Sequence, residues 1–198
     1  MSVRTDLVFE STSTLTQAEF FDWLLTRPPS DCSHYELLHG RVVMTAPAGH
    51  PHGTIDGALS RVLGSFIHER RLGTYFGSSQ GFELPSGDTV EPDFAFVVAE
   101  RWNAIPPPPA GGFLRIVPDL VVEILSRSTA TRDRGEKRDI YEGNGVREYW
   151  IVDAEAAELT VFSRHQDHFD GGRVFPIGTT FDSEVLAGLQ FDVGSVLP

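Results

Sequence analysis

Residues 118–129, PDLVVEILSRST, decide the fold of this chain, because they place one carboxylate inside a run of apolar residues. Residues 119–125 predict a β-strand that is apolar on both faces except at Glu123. Strands of this kind are typical of the centre of a sheet that is covered on both sides. A buried glutamate without a partner is uncommon, so Glu123 is a candidate functional residue. The alternative is a structural ion pair with an arginine or with Lys137.

Helical and strand patterns extend outward from this segment in both directions. Predicted helices lie at about residues 15–24, 54–71 and 131–142. Predicted strands lie in the two arms of YELLHGRVVMT (residues 35–45) and at residues 74–76, 81–84, 89–98, 148–152 and 158–163. Residues 103–112 are rich in proline and glycine, which predicts an irregular surface loop. The remainder of the chain predicts short β segments and loops.

The composition argues against several classes of protein. A formal net charge of −12 and a pI near 4.9 are unlike proteins that coat nucleic acid through long-range attraction, although a nuclease is compatible with them. No apolar stretch approaches the roughly twenty residues needed to cross a bilayer, so we expect no membrane partner. Cys32 is the single cysteine, and the N-terminal sequence lacks a secretory signal pattern. Together these two features predict a cytoplasmic protein.

A basic strip follows the embedded carboxylate. Its basic members, which outnumber the two acids Asp133 and Glu136, are Arg127, Arg132, Arg134, Lys137 and Arg138. Of the sixteen lysine and arginine residues, Lys137 is the only lysine, and all the rest are arginines. A compact ammonium suits a phosphoryl-transfer site, where it would stand beside the scissile phosphate. The alternatives are an ion pair of Lys137 with Asp133 and, for the strip as a whole, a solvated helix face.

Asp93 and Glu123 are candidate metal ligands. If the predicted strands at residues 89–98 and 119–125 are neighbours, both carboxylates can point to the same side of the sheet. Two carboxylates in an apolar setting repel each other and lose hydration unless a cation holds them. Oxygen ligands without a cysteine or histidine cluster suit Mg²⁺ or Mn²⁺. Alternatively, Asp93 is a turn former or a strand-edge residue after Pro92.

Two other positions have an open role. Glu36 is polar within an apolar stretch, HYELL, and is either functional or an outward-facing strand residue. His50 and His52 form a His-x-His pair around Pro51, but a metal site would need a third ligand nearby. Packing or capping at the start of the long helix is the alternative for the two histidines.

Four blocks of the sequence resemble the Uma2 family, a bacterial group of endonucleases with the restriction-endonuclease-like PD-(D/E)xK fold. They are, in order, YELLHG, EPDFAFVV, PDLVVEILSRST and RGEKRDIYEGNGVREYWIVD. The resemblance covers about residues 15–195. It implies an α/β (α+β) fold with a central mixed β-sheet flanked by helices and with extra β-hairpins. We expect a single domain over residues 1–198, with its core at about 15–165 and a C-terminal β extension at about 166–198.

The resemblance also implies a catalytic site. It identifies Asp93, after Pro92, as the acid of the PD element and Glu123 as the acid of the second element. Leu125 stands where the nuclease motif places its lysine, and Lys137 matches the position on the following helix where Uma2-like chains carry one. With the acid of the Tyr-Glu-Leu block included, the expected catalytic residues are Glu36, Asp93, Glu123 and Lys137.

These residues predict metal-assisted hydrolysis of phosphodiester bonds in DNA, with Mg²⁺ or Mn²⁺ as the cofactor. The expected metal ligands are Asp93, Glu123 and the backbone carbonyl of Ile124. The expected phosphate contacts are Arg127, Arg132 and Arg134. A homodimer is compatible with this fold. Two other functions stay open, namely a dimeric binding or scaffold protein without catalysis and a phosphoesterase that acts on small nucleotides.

Overall fold

Short strands alternate with helices along the chain. The computed structural model describes residues 9–107 and 111–197. The strands are β1 (Phe9–Thr14), β2 (His34–Leu38), β3 (Arg41–Thr45), β4 (Gly73–Gly77), β5 (Phe82–Glu83), β6 (Thr89–Val90), β7 (Phe94–Val98), β8 (Leu120–Ile124), β9 (Glu148–Asp153), β10 (Glu158–His165), β11 (His168–Phe169), β12 (Arg173–Pro176), β13 (Thr180–Asp182) and β14 (Gln190–Asp192). The helices are α1 (Gln17–Leu24), α2 (His52–Arg70), α3 (Ala99–Ala104), α4 (Ala130–Arg132) and α5 (Arg138–Asn144). A π-helical segment, Asp133–Lys137, joins α4 to α5 without a break, and a 3-10 turn, Val193–Ser195, lies near the C-terminus.

A mixed seven-stranded sheet forms the centre of the fold. Its order is β11-β10-β9-β8-β7-β4, with β12 also paired to β10. Strand β8 runs parallel to β9 and antiparallel to β7. All five residues of β8 are buried, which agrees with its apolar sequence on both faces. The predicted central strand is therefore confirmed, and Glu123 lies inside it.

The two faces of this sheet carry separate hydrophobic clusters. Helix α2 covers one face through a row of apolar residues at helical spacing, Ile55, Leu59, Leu63 and Ile67. C-terminal side chains, among them Phe181 and Leu189, belong to the same cluster. The opposite face bears Val121 and packs with α5 and with residues of the smaller sheet. Glu123 is two residues after Val121 in β8, so its side chain lies on the same, second face of the sheet.

A smaller, five-stranded antiparallel sheet lies against that second face, in the order β1-β3-β2-β6-β5. Strands β2 and β3 form the predicted hairpin, because His39 and Gly40 both adopt positive φ, as a two-residue turn of this type requires. Helix α1 starts at a capping box formed by Thr16 and Glu19, which satisfies its free backbone donors. The predicted amphipathic helix and hairpin are both confirmed.

The predicted strand at residues 89–98 is wrong in one respect, because the chain leaves one sheet and enters the other within it. Strand β6 pairs with β2 in the small sheet, and β7 pairs with β8 in the central sheet. The linking residues are Glu91, Pro92 and Asp93. Pro92 has no backbone N–H, so it cannot continue a ladder on both sides. This crossing holds the small sheet next to Glu123.

The helix boundaries differ slightly from those expected. Helix α2 begins two residues early, at His52, and ends at Arg70 because Arg71 adopts a left-handed conformation with φ 54°. The helix expected at 131–142 starts at Ala130 and continues to Asn144, with Gly145 in the left-handed region at φ 88°. Helix α3 takes up the first two residues of the predicted loop 103–112, of which 108–110 lie outside the described residues. In the described part of the chain, no helix has the length and apolar character to cross a membrane.

Candidate active site

Lys137 lies between two buried glutamates that come from different sheets. Its Nζ is 2.6 Å from Oε1 of Glu123 on β8 and 2.9 Å from Oε1 of Glu36 on β2. The exposed fraction of each residue is small: 4% for Lys137, 4% for Glu123 and 6% for Glu36. Three predicted catalytic residues therefore meet in one cluster. The ion-pair alternative for Lys137 is also met in part, since Nζ is 3.9 Å from Oδ1 of Asp133.

The π-helical segment sets the position of the lysine. Asp133, Lys137 and Tyr141 follow one another at intervals of four residues, so their side chains form a row on one side of the helix. The Tyr141 hydroxyl donates a hydrogen bond of 2.6 Å to Oε1 of Glu123. Segments of π-helix inside α-helices are often found at functional sites. Here, the row places an ammonium and a phenol on the same carboxylate oxygen.

Asp93 lies beside the C-terminal end of β8, the end that contains Glu123. One of its oxygens, Oδ2, accepts a hydrogen bond of 2.7 Å from the Ile124 amide, and the other, Oδ1, is 3.1 Å from Nε2 of His52. The register Phe94↔Val122, continued by two residues, places Pro92 opposite Ile124. Pro92 has no N–H to give to the Ile124 carbonyl, which points to the same side of β8 as the Ile124 amide. The Ile124 carbonyl and the Asp93 carboxylate therefore lie on the same side of β8.

A second contact between a histidine and a carboxylate, that of His34 with Glu91, lies on the more accessible side of the cluster. Nδ1 of His34 is 3.1 Å from Oε2 of Glu91, and the backbone amide of Glu91 donates a hydrogen bond of 2.9 Å to Oε1 of Glu36. The side chain of His34 is 37% exposed, compared with 5% for that of Lys137. The cluster is therefore more open to solvent on the side of His34, where the chain crosses between the sheets.

Burial controls the charge states in this cluster. Burial raises the pKa of Glu123 well above its usual value, and nearby acids add to the shift although the charge of Lys137 opposes it. Burial alone would lower the pKa of Lys137, but the attraction of Glu123 and Glu36 outweighs it and raises that pKa well above its usual value. Burial also raises the pKa of Asp133, to about 6. The lysine is therefore charged at neutral pH, whereas the acids carry an electrostatic penalty.

The cluster holds more negative than positive groups. Its carboxylates are Glu36, Glu91, Asp93, Glu123 and Asp133, and its permanent cation is Lys137. In the described residues, no three His, Cys, Asp or Glu side chains are arranged closely enough to hold a metal ion by themselves. Mg²⁺ keeps several waters and needs only one or two carboxylates from the protein, so the donor set Asp93, Glu123 and Ile124 carbonyl fits it.

The carboxylate oxygens of Glu123 and Asp93 have acceptor positions that are not used by described residues, which supports their role as ligands of Mg²⁺. Both contacts to Glu123 found among the described residues, from Lys137 and Tyr141, go to Oε1 and leave Oε2 available. Each Asp93 oxygen has one partner, and a carboxylate offers about four acceptor positions in total. A divalent cation at this place would also offset the surplus of negative charge.

The arginines expected to bind phosphates differ in their surroundings. Arg132 pairs with Glu136 at 3.2 Å and lies 3.7 Å from Glu10, and Arg134 pairs with Asp153. Arg127 is exposed, and it has no ion pair with another described residue. Of the three arginines, Arg127 is therefore the one that forms no ion pair with a described carboxylate.

Several members of the cluster were not assigned to the site from the sequence, namely Tyr141, His34, His52 and Glu91. The hydroxyl of Tyr141 gives no signal in the sequence, because an aromatic residue beside apolar ones is most simply explained by core packing. His52 was set aside as a helix-entry residue, although it contacts Asp93. Glu91 lies in the segment 89–98 that the sequence predicts as a strand. Its place two residues before Asp93, across a proline, was the available signal.

Comparisons with known proteins show the fold and the family of the chain. Among solved structures, the chain is similar to one described as a putative nuclease belonging to DUF820 from Anabaena variabilis ATCC 29413, at 19% sequence identity and a TM-score of 0.74. The similarity covers 92% of this chain and 97% of that one, and it shows a shared fold. No curated protein matches the chain. The model of the Uma2 family, described as "Putative restriction endonuclease", matches residues 18–194. Because that match covers most of its length, the chain belongs to the Uma2 family.

Proposed function

We propose that this protein is a divalent-metal-dependent endonuclease that hydrolyses phosphodiester bonds in DNA. The family and the nuclease fold support a nuclease in general. The observation that carries the finer proposal is the position of Lys137, which is buried between Glu123 and Glu36 at 2.6 and 2.9 Å and lies in the same cluster as Asp93. An ammonium beside carboxylates that two different sheets bring together is an arrangement suited to phosphoryl chemistry.

The metal ligands in this proposal are Asp93, Glu123 and the backbone carbonyl of Ile124. When bound there, Mg²⁺ or Mn²⁺ would supply a more acidic water and neutralise charge on the phosphate oxygens. Asp93 is oriented for this role from both sides, because His52 contacts one of its oxygens and the Ile124 amide donates to the other. Such partners fix the direction of a ligand and increase its affinity for the metal.

Lys137 is the group that stabilises charge in the transition state. Its raised pKa keeps it protonated at neutral pH, so it acts as a hydrogen-bond donor and a fixed positive charge. Glu36 holds Nζ from the side of the small sheet, and Glu36 is itself oriented by the Glu91 amide. A group held in place before the reaction begins loses little energy to reorganisation during it. Glu36 is thus a positioning residue in this scheme.

DNA would contact the accessible side of the cluster through its phosphates. Arg127 is exposed and follows β8 directly, so it can reach a neighbouring phosphate. The net charge of −12 limits long-range attraction to DNA, which predicts weak binding in the absence of a divalent ion.

Plasmid cleavage tests this function. Supercoiled DNA is incubated with the purified protein and Mg²⁺ or Mn²⁺, and nicked and linear products are measured on gels. Cleavage is expected for the wild type and for Asp139→Asn, which alters an exposed carboxylate on α5, and it is expected to be lost in Asp93→Asn, Glu123→Gln and Lys137→Met. Cleavage that persists in these three variants would contradict the proposal.

Two other outcomes separate the alternatives. If no nucleic acid is cut but small nucleotides are hydrolysed, the protein is a phosphoesterase. If neither is hydrolysed and the three site variants bind DNA or protein partners as the wild type does, it is a binding or scaffold protein. The ratio of linear to nicked plasmid, compared with the molar mass in solution, tests whether a homodimer cuts both strands.

A further inference from the structure

Two side chains donate hydrogen bonds to Glu123, and both bonds go to the same one of its two carboxylate oxygens. Nζ of Lys137 and the hydroxyl of Tyr141 both lie 2.6 Å from Oε1. The proposed metal site requires an oxygen of the same carboxylate. A glutamate carboxylate rotates about a broad torsion, so either oxygen could face a cation unless something fixes it. The lysine alone does not fix it, because an ammonium has three donor hydrogens and can bond to whichever oxygen faces it.

Tyr141 is suited to fix that torsion. Its side chain is fully buried, at 0% exposure, and its ring packs on that of Tyr149 with the centroids 5.0 Å apart. The Tyr149 hydroxyl donates a 2.9 Å hydrogen bond to the Asp133 carbonyl in the π-helical segment. The phenol of Tyr141 is therefore held by packing on one side and by the helix that carries it on the other. A tyrosine hydroxyl is a hydrogen-bond donor at neutral pH, which suits the contact with Glu123.

From this geometry we infer that Tyr141 is a positioning residue that locks the Glu123 carboxylate, holding Oε1 for Lys137 and presenting Oε2 to the divalent cation. The inference rests on the proposed metal site and assigns a role to a residue outside the predicted set. A tyrosine is well suited to this task because its hydroxyl donates a single hydrogen, whereas the lysine ammonium has three and does not select one carboxylate oxygen. The hydroxyl thus sets which oxygen is available.

Mn²⁺ binding measured by titration calorimetry tests the inference. Tyr141→Phe keeps the ring and its packing and removes only the hydroxyl. We expect it to weaken Mn²⁺ binding by roughly 10- to 100-fold, the usual effect of removing a group that orients a metal ligand. Tyr149→Phe is the matched control, since it removes a buried hydroxyl that contacts a backbone carbonyl and not Glu123. Its affinity for Mn²⁺ is expected to equal that of the wild type.

A second measurement uses the metal-free protein. The infrared difference spectrum between the wild type and Glu123→Gln identifies the carboxylate bands of Glu123. These bands are expected to shift in Tyr141→Phe and to stay in place in Tyr149→Phe, because only the first variant removes a hydrogen bond to Oε1. Thermal unfolding without metal shows whether each variant is folded at the temperature of the measurements.

The outcomes are distinct. Wild-type Mn²⁺ affinity in Tyr141→Phe would overturn the inference, as would an equal loss in both phenylalanine variants, which would indicate a general role in packing. A wild-type protein that binds no Mn²⁺ would contradict the proposed function itself and remove the basis of the inference. Unshifted Glu123 bands in Tyr141→Phe would refute the positioning role even if metal binding changed.

Discussion

Replacing Lys137 by methionine is expected to cost about 3 to 5 kcal/mol of unfolding free energy at neutral pH in the absence of divalent ions. The substitution keeps an unbranched side chain of similar length and removes the ammonium. Glu123 and Glu36, whose side chains are 5% and 8% exposed, then face each other without the cation that now contacts both. Removing one partner of a buried pair leaves an uncompensated charge, which is the source of the cost.

The loss of stability in Lys137→Met is limited, because a buried carboxylate without its cation can take up a proton. Burial already raises the pKa of Glu123, and the loss of the Lys137 charge would raise it further. The cost is therefore expected to fall as the pH is lowered towards 5. Combining Lys137→Met with Glu123→Gln removes the charge left behind, so the double variant is expected to recover at least half of the stability lost in Lys137→Met.

Urea unfolding followed by tryptophan fluorescence measures these differences, with the buried Trp150 as the probe. Arg127→Met, at an exposed position, is the control and is expected to stay within about 0.5 kcal/mol of the wild type. The reasoning is refuted if Lys137→Met loses less than about 1 kcal/mol, or if the double variant is no more stable than Lys137→Met.

Three further predictions concern single residues around the site. Burial raises the pKa of Asp133 from 3.8 to about 6, so the folded protein binds this proton more tightly than the unfolded chain, and stability from this group falls by roughly 3 kcal/mol as the pH rises through that window. Asp133→Asn should lack this decline in urea unfolding between pH 4 and 7, and parallel profiles for the two proteins would contradict it. His52→Ala should weaken Mn²⁺ binding about tenfold or more in calorimetry, because Asp93 loses a partner 3.1 Å away, and an unchanged affinity would count against Asp93 as a ligand. In DNA-binding titrations at low salt, Arg127→Ala should weaken binding and reduce its salt dependence, whereas Arg134→Ala should have a smaller effect because Asp153 already pairs with that arginine; the reverse order would show that the arginines exchange partners on DNA.

Much of the fold could be predicted from local patterns in the sequence. Strand β8, the hairpin of β2 and β3, and the two longer helices could be predicted because each depends on a repeat of apolar residues within one segment. The convergence of Glu36, Glu123 and Lys137 agrees with the expected set, since family blocks marked each of them. These features depend on side chains that are near in sequence or on motifs that stand out.

Features that depend on distant partners could not be predicted in the same way. The alternating pattern of residues 89–98 continued through Pro92, and nothing in that segment indicated that its two halves pair with strands in different sheets. Arg132 and Arg134 were expected to face phosphates, but their acidic partners include Glu10 and Asp153, which lie far from them in sequence. The bond between Tyr141 and Glu123 likewise spans eighteen residues and two kinds of element.

The passage of the chain from the small sheet to the central sheet at Pro92 links activity to complete folding. Glu91 helps to hold Glu36, and Asp93, two residues later, is a proposed metal ligand, so three consecutive residues serve both halves of the site. A nascent or partly unfolded chain in which the sheets have not yet met would present scattered acids and no centre able to cut. Under the proposed nuclease function, cleavage would therefore begin only after synthesis and folding of the chain are finished.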